Sequence, residues 1–142
     1  MYEALRLAFK SYINDEVPVG AVIIEGGCVI GKGYNKMEKD QNVLRHAEII
    51  AISEACDRLQ SWRLCDCELL VTFEPCLMCS GAILHSRIGK VVYGAKNHNF
   101  GSTKYIKNKT EVIGGVLEKE CSSLLSSFFQ GKRFKKNQNK FC

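Results

Sequence analysis

The stretch Glu68-Leu69-Leu70-Val71-Thr72-Phe73-Glu74-Pro75-Cys76-Leu77-Met78-Cys79 decides the fold. Residues 68–73 form a short apolar run with no turn residue, which reads as a buried strand. Pro75 then opens a helical stretch, CLMCSGAILHS, because proline is favoured at the start of a helix. A strand running straight into a helix is the repeating step of an α/β sheet. The same turn holds two cysteines at Cys-x-x-Cys spacing on the first turn of that helix.

Upstream, residues 43–59 place Leu44, Ala47, Ala51, Ala55 and Leu59 on one helical face. Residues 36–42 before them read as a polar loop. VGAVII (19–24), Gly26-Gly27 and CVIGKGYN (28–35) read as a β-hairpin. Residues 2–14 carry Leu5, Ala8, Phe9, Tyr12 and Ile13 at helical spacing, and Pro18 stops that helix. Downstream, KVVYGA (90–95) is a strand and EVIGGV (111–116) is read as a fifth, with a polar loop between them. Residues 117–131 then put Leu117, Cys121, Leu124, Leu125, Phe128 and Phe129 on one face of a last helix. The order predicts a three-layer α/β/α domain around a mixed sheet of about five strands.

The chain has 142 residues, one domain's worth, and is 46% hydrophobic and 25% charged, which excludes disordered and collagen-like classes. No apolar run approaches the ~18–20 residues of a membrane span. The first residues show no secretory signal, so the expected compartment is the cytoplasm. The net charge is +5, and the tail Gly131–Cys142 carries five basic residues (Lys132, Arg133, Lys135, Lys136, Lys140) and no acid. A domain over 1–131 and a basic tail over 132–142 are therefore expected. Residues 75–110 also lack any Asp or Glu while holding Arg87, Lys90, Lys96, Lys104, Lys107 and Lys109. Two acid-free basic segments suit a polyanion such as nucleic acid, or else an ordinary solvated surface.

Eight cysteines, at 28, 56, 65, 67, 76, 79, 121 and 142, fall below the density of a disulfide scaffold. Without a secretory signal they are metal ligands, catalytic groups or small buried apolar residues. His46, Cys76 and Cys79 supply three ligands of the sort a catalytic zinc site uses, with the fourth position open. Glu48 lies two residues from His46. Within a helix such residues point apart, so both must sit in the first turn, where side chains fold over the helix end. Glu48 is then no ligand but a proton carrier. The rival is a structural four-cysteine site from Cys65, Cys67, Cys76 and Cys79. An extended 68–73 separates its halves by ~30 Å, where one zinc needs ligands ~4 Å apart.

His46-Ala47-Glu48 with Pro75-Cys76-Leu77-Met78-Cys79 is the zinc-deaminase signature. With Glu16-Val17-Pro18-Val19-Gly20-Ala21, Gly33-Tyr34-Asn35, His85-Ser86-Arg87-Ile88, Val92-Tyr93-Gly94-Ala95 and Leu124-Leu125 before Phe128-Phe129, the sequence resembles the bacterial tRNA-specific adenosine deaminases, the TadA family. The resemblance implies a cytidine-deaminase-like fold, one Zn²⁺ per chain, a homodimer, and hydrolysis of the wobble adenosine of a tRNA anticodon to inosine. It carries a base-reading role onto Asn35, whose amide can both donate and accept; without the resemblance Asn35 reads as a turn residue. The family has Asp near the substrate ribose where this sequence has Asn97, and its loop near 101–111 is longer. Other readings stay open at this point. A free-guanine deaminase would not need the basic segments, an RNA-binding zinc module would not need Glu48, and a thiol redox protein would not need His46.

Overall fold

A computed structural model describes residues 1–138, with side chains to Phe134, so Lys140 and the side chains of Lys135 and Lys136 in the basic tail lie outside it. The elements are α1 (Tyr2–Ile13), β1 (Gly20–Glu25), β2 (Cys28–Tyr34), α2 (Met37–Asp40), α3 (Ala47–Leu59), β3 (Cys67–Phe73), α4 (Leu77–Ser86), β4 (Lys90–Ala95), a 3₁₀ turn (Thr103–Tyr105), β5 (Glu111–Gly114) and α5 (Glu118–Gln138). The five strands form one sheet in the order β2-β1-β3-β4-β5. β1 is antiparallel to β2 and β3, while β3, β4 and β5 are parallel. The predicted mixed α/β/α architecture is therefore the one observed.

Buried apolar side chains form two cores. Ala21, Ile23, Leu69, Val71 and Val91 point to one face and pack with α3 and α4. A smaller second core joins Ala95 at the end of β4 to Cys121 and Leu125 of α5, with Leu5 of α1 and Phe73 packed against it. Leu69 and Val71 are fully buried, each worth ~1.5–3 kcal/mol relative to exposure. Gly26 and Gly27, both at positive φ (54° and 81°), make the two-residue hairpin turn that matches the twist of β1 and β2.

One sequence device fixes where α3 lies. Gly31 and Gly33 share a face of β2, and α3 carries Ala47, Ala51 and Ala55 one turn apart. The helix settles so closely that a Cβ on Gly33 would stand 2.8 Å from the Ala51 nitrogen and closer still to the Ala47 carbonyl oxygen. Small residues on both partners thus hold the start of α3 against the end of β2.

Three boundaries differ from expectation. α3 begins at Ala47 rather than Val43, because Asn42 Oδ1 accepts the Leu44 N–H (2.9 Å) and turns the chain; Val43 and Leu44 are exposed. The expected loop 36–42 contains α2, whose N-terminal N–H groups at Glu38 and Lys39 donate to the buried Glu16 carboxylate (3.2 and 2.7 Å). α5 continues unbroken past residue 131 to Gln138, since Lys, Arg and Gln are good helix formers even where the apolar face ends.

Candidate active site

β2, β3 and β4 run in one direction, so their C-terminal ends meet at one edge of the sheet, and α3 and α4 start there. In open α/β sheets that edge is where sites form. His46 is the N-cap of α3 and Cys76 the N-cap of α4, both with extended backbone (ψ 149° and 177°). Glu48 and Cys79 sit in the first turns of the same two helices. The expectation that His46 and Glu48 share a helix start is met by this geometry.

His46 Nδ1 lies 3.7 Å from Cys76 Sγ and 3.6 Å from Cys79 Sγ. A tetrahedral ion with Zn–S near 2.3 Å and Zn–N near 2.05 Å sets its nitrogen and sulfur donors about 3.6 Å apart. The donor set therefore fits zinc, and it is the sole group of three or more such ligands within 4.8 Å of one another among the described residues. Cys65 and Cys67 stand at the far end of β3, one exposed and one buried, which removes the four-cysteine site.

The electrostatics suit the same use. Cys76 is held down to about 4, chiefly by the thiol hydrogen bond from Cys79 and also by His46. Both thiols sit where the positive end of α4 favours thiolate. Cys79 keeps the proton and is pushed up by Cys76 and by burial. His46 is raised above 6.5 by the Cys76 thiolate. Glu48 is only 4% exposed, and that burial pushes its carboxyl up to about 7.

His46, Glu48 and Cys76 line a cavity of about 260 Å³. Its apolar walls come from Val17 and Val19 before β1 and from Phe73 at the end of β3. Asn35, after β2, and Asn97, after β4, complete the rim. The volume lies below the ~300–1,000 Å³ of drug-sized pockets and suits one small ring system. A wider cleft of about 500 Å³ between β4 and α5 holds no cluster of metal ligands among the described residues.

Asn35 lines the cavity and also fastens the chain before α3. Its Oδ1 accepts the Ala47 N–H (2.9 Å), capping α3 one residue from His46, while its Nδ2 has no partner among the described residues. Asn97 is tied into its own loop: Oδ1 accepts the Phe100 N–H (2.9 Å) and Nδ2 donates to the Glu74 carbonyl (3.5 Å). Sequence reasoning passed over Glu74, Phe100 and Met37, which also line the cavity. The available signal for Glu74 was its place directly before Pro75-Cys76, as the last acid before an acid-free run.

Residues 1–95 match the cytidine and deoxycytidylate deaminase zinc-binding region. The chain is 42% identical over 147 residues to a tRNA-specific adenosine deaminase of Streptococcus pyogenes, covering 96% of this chain and 92% of that protein. It is similar (TM-score 0.82, 35% identity, 86% of this chain and 95% of the other) to a structure solved in a study of A-to-I editing by tRNA:A34 deaminases at the wobble position of transfer RNA. A guanine deaminase from Bacillus subtilis is less similar, with TM-score 0.64 and 34% identity over 75% of this chain and 71% of its own. The site geometry and these similarities converge on one assignment: the chain belongs to the cytidine and deoxycytidylate deaminase family, in the branch of the tRNA-specific adenosine deaminases.

Proposed function

We infer that this chain is a zinc-dependent hydrolase that converts the wobble adenosine of a tRNA anticodon to inosine, releasing ammonia, with Glu48 as the proton shuttle. The observation that carries the reading is a buried carboxyl, Glu48, lining the same small cavity as His46 and Cys76. His46, Cys76 and Cys79 would hold the metal, which supplies the Lewis acidity that makes water nucleophilic near neutral pH.

The chain's own groups do the rest. Burial lifts the Glu48 carboxyl well above the ordinary carboxylate range, to about 7, so it can accept a proton from the attacking water and return it. The receiving atoms are the purine ring nitrogen and then the departing amine. Val17, Val19 and Phe73 exclude bulk water and give the base an apolar slot. Asn35 offers Nδ2 to an acceptor on the base, and Asn97 stands at the rim for the ribose. A single-stranded anticodon loop lets the base enter at low unstacking cost.

Further parts of the reading concern partners. The acid-free segment 75–110 and the basic residues from Lys132 onward support contact with RNA phosphates. The outward face of α4, with exposed Leu77 and Leu84 and open space over Gly81, supports pairing of two copies. No helix of the described residues is long and apolar enough to cross a membrane, and with tRNA as substrate the working compartment is the cytoplasm. The alternative substrate is free guanine, favoured by the guanine-deaminase neighbour. The test is inosine formation in an anticodon stem–loop with a wobble adenosine, run beside xanthine formation from guanine. Activity on guanine alone overturns the tRNA reading.

A further inference from the structure

We propose that Glu74 is a positioning residue: its buried carboxylate clamps the loop after β4 and so holds Asn97 and Phe100 on the wall of the catalytic cavity. The proposal rests on the deaminase reading of that cavity. Glu74 follows β3 and precedes Pro75-Cys76, so the backbone that carries it also carries a metal ligand. An acid in such a linker is ordinarily solvated. Here it is 7% exposed, and both carboxylate oxygens are engaged by one loop.

Oε1 accepts the Thr103 hydroxyl at 2.6 Å, and Thr103 is itself 2% exposed. Oε2 accepts the Asn97 N–H at 3.2 Å. The neighbouring backbone adds to the clamp: the Glu74 carbonyl accepts from Asn97 Nδ2 (3.5 Å), and the Pro75 carbonyl accepts the Ser102 N–H (3.0 Å). The loop packs so tightly that a Cβ on Gly101 would stand 2.6 Å from the Glu74 carboxyl carbon. Charge-assisted hydrogen bonds of this length are among the stronger polar contacts, and burial strengthens them.

The clamp reaches the cavity through Asn97. The Asn97 Oδ1 holds the Phe100 N–H and its carbonyl holds the Gly101 N–H (2.9 Å each), so fixing Asn97 fixes the turn that carries Phe100. Phe100 is 72% exposed on the rim. It lines both the catalytic cavity and an adjoining cleft of about 440 Å³ shared with Met78, Lys104 and Tyr105. The orientation of this one loop therefore shapes the mouth through which a nucleotide chain must pass. Glu74 touches no reacting atom in this scheme; it sets substrate binding and leaves the proton chemistry to Glu48.

Three variants test the clamp: Glu74→Gln, Thr103→Val and Thr103→Ser. Glu74→Gln and Thr103→Val should keep one zinc per chain and raise KM for the stem–loop by roughly 10- to 100-fold, as expected for loss of a buried hydrogen bond to a charged group. Their kcat should stay within about threefold of the parent, since the interaction lost is one of uniform binding. Trypsin should cut after Lys104 faster in both, and Thr103→Ser, which keeps the hydroxyl, should restore KM and protection. Glu74→Gln that loses kcat at parent KM, with Thr103→Val silent, would place Glu74 at the reacting atoms and overturn the clamp. Parent-like KM and proteolysis in both variants would also overturn it. If Glu74→Gln fails to fold, the Thr103 pair decides. If the parent protein deaminates no RNA, the proteolysis arm still reads the clamp, separating its failure from failure of the deaminase reading.

Discussion

Replacing Gly33 by Ala adds one methyl group on the face of β2 that α3 covers. The new Cβ would stand 2.8 Å from the Ala51 nitrogen and closer still to the Ala47 carbonyl oxygen. Both are helix backbone, so no side chain can swing away. Carbon contacts settle near ~3.5–4.0 Å, so α3 has to lift by about 1 Å. The residue before Ala47 is His46 and the residue after it is Glu48, so the lift falls on the metal donor and the proton carrier. Metal sites tolerate ligand displacements of only ~0.2 Å, and a misplacement of ~1 Å at a catalytic group costs on the order of 100-fold in rate. Overpacking itself costs ~1–3 kcal/mol. Gly33→Ala should therefore melt earlier, hold well under one zinc per chain, and deaminate about 100-fold more slowly. Gly131→Ala is the control: in α5, with nothing within 4 Å of its Cβ, it should gain ~0.5–1 kcal/mol and keep zinc and rate. The checks are thermal melting, metal stoichiometry and single-turnover deamination. A Gly33→Ala protein with parental zinc content and a rate within twofold would refute the packing argument.

Three further outcomes are expected. His46→Ala, Cys76→Ala and Cys79→Ala should each lose zinc, while Cys65→Ser/Cys67→Ser keeps it; metal analysis of the purified variants decides, and the reverse pattern would restore the four-cysteine site. Zinc affinity should fall as pH falls: His46 and Cys79 hold their protons more tightly than ordinary groups, and zinc must displace both. For His46 the loss begins above pH 6.5, so competition against a chelator at pH 6, 7 and 8 should show steadily tighter binding, and a flat profile contradicts it. Deleting residues 132–142 should weaken stem–loop binding, flatten its salt dependence by ~0.7 per lost phosphate contact and spare the rate at saturating RNA. The Lys132–Asp15 ion pair (2.7 Å) lost with it is exposed and worth ~0–1 kcal/mol.

The metal centre was legible in the sequence because each donor sits beside a local signal. Pro75 announces the helix that presents Cys76 and Cys79, and the helical pattern over 43–59 announces the helix that His46 caps, though not its start, which the Asn42 turn sets. The continuous apolar runs in β1, β3 and β4 likewise announced strands of a sheet covered by helices. Contacts between distant segments were not legible. Glu74 meets Thr103 and Asn97, 29 and 23 residues away, and Glu16 caps α2 from 22 and 23 residues away. Nothing local distinguishes such acids from solvated ones. Gly31 and Gly33 read as strand residues, and only the helix lying on them explains why a side chain is excluded there.

The central claim, that a buried Glu48 moves protons beside a His46–Cys76–Cys79 zinc site acting on a wobble adenosine, is tested most directly by Glu48→Gln. The amide keeps the shape and leaves all three donors in place. The measurement is single-turnover inosine formation on an anticodon stem–loop, with zinc content and RNA affinity taken on the same preparations. General acid–base groups contribute ~10²–10⁴-fold, and Glu48 serves more than one transfer. The account predicts a parent that forms inosine and a Glu48→Gln protein with one zinc, near-parental RNA affinity and a rate at least ~10³-fold lower. A zinc-loaded variant that deaminates within tenfold of the parent would contradict it.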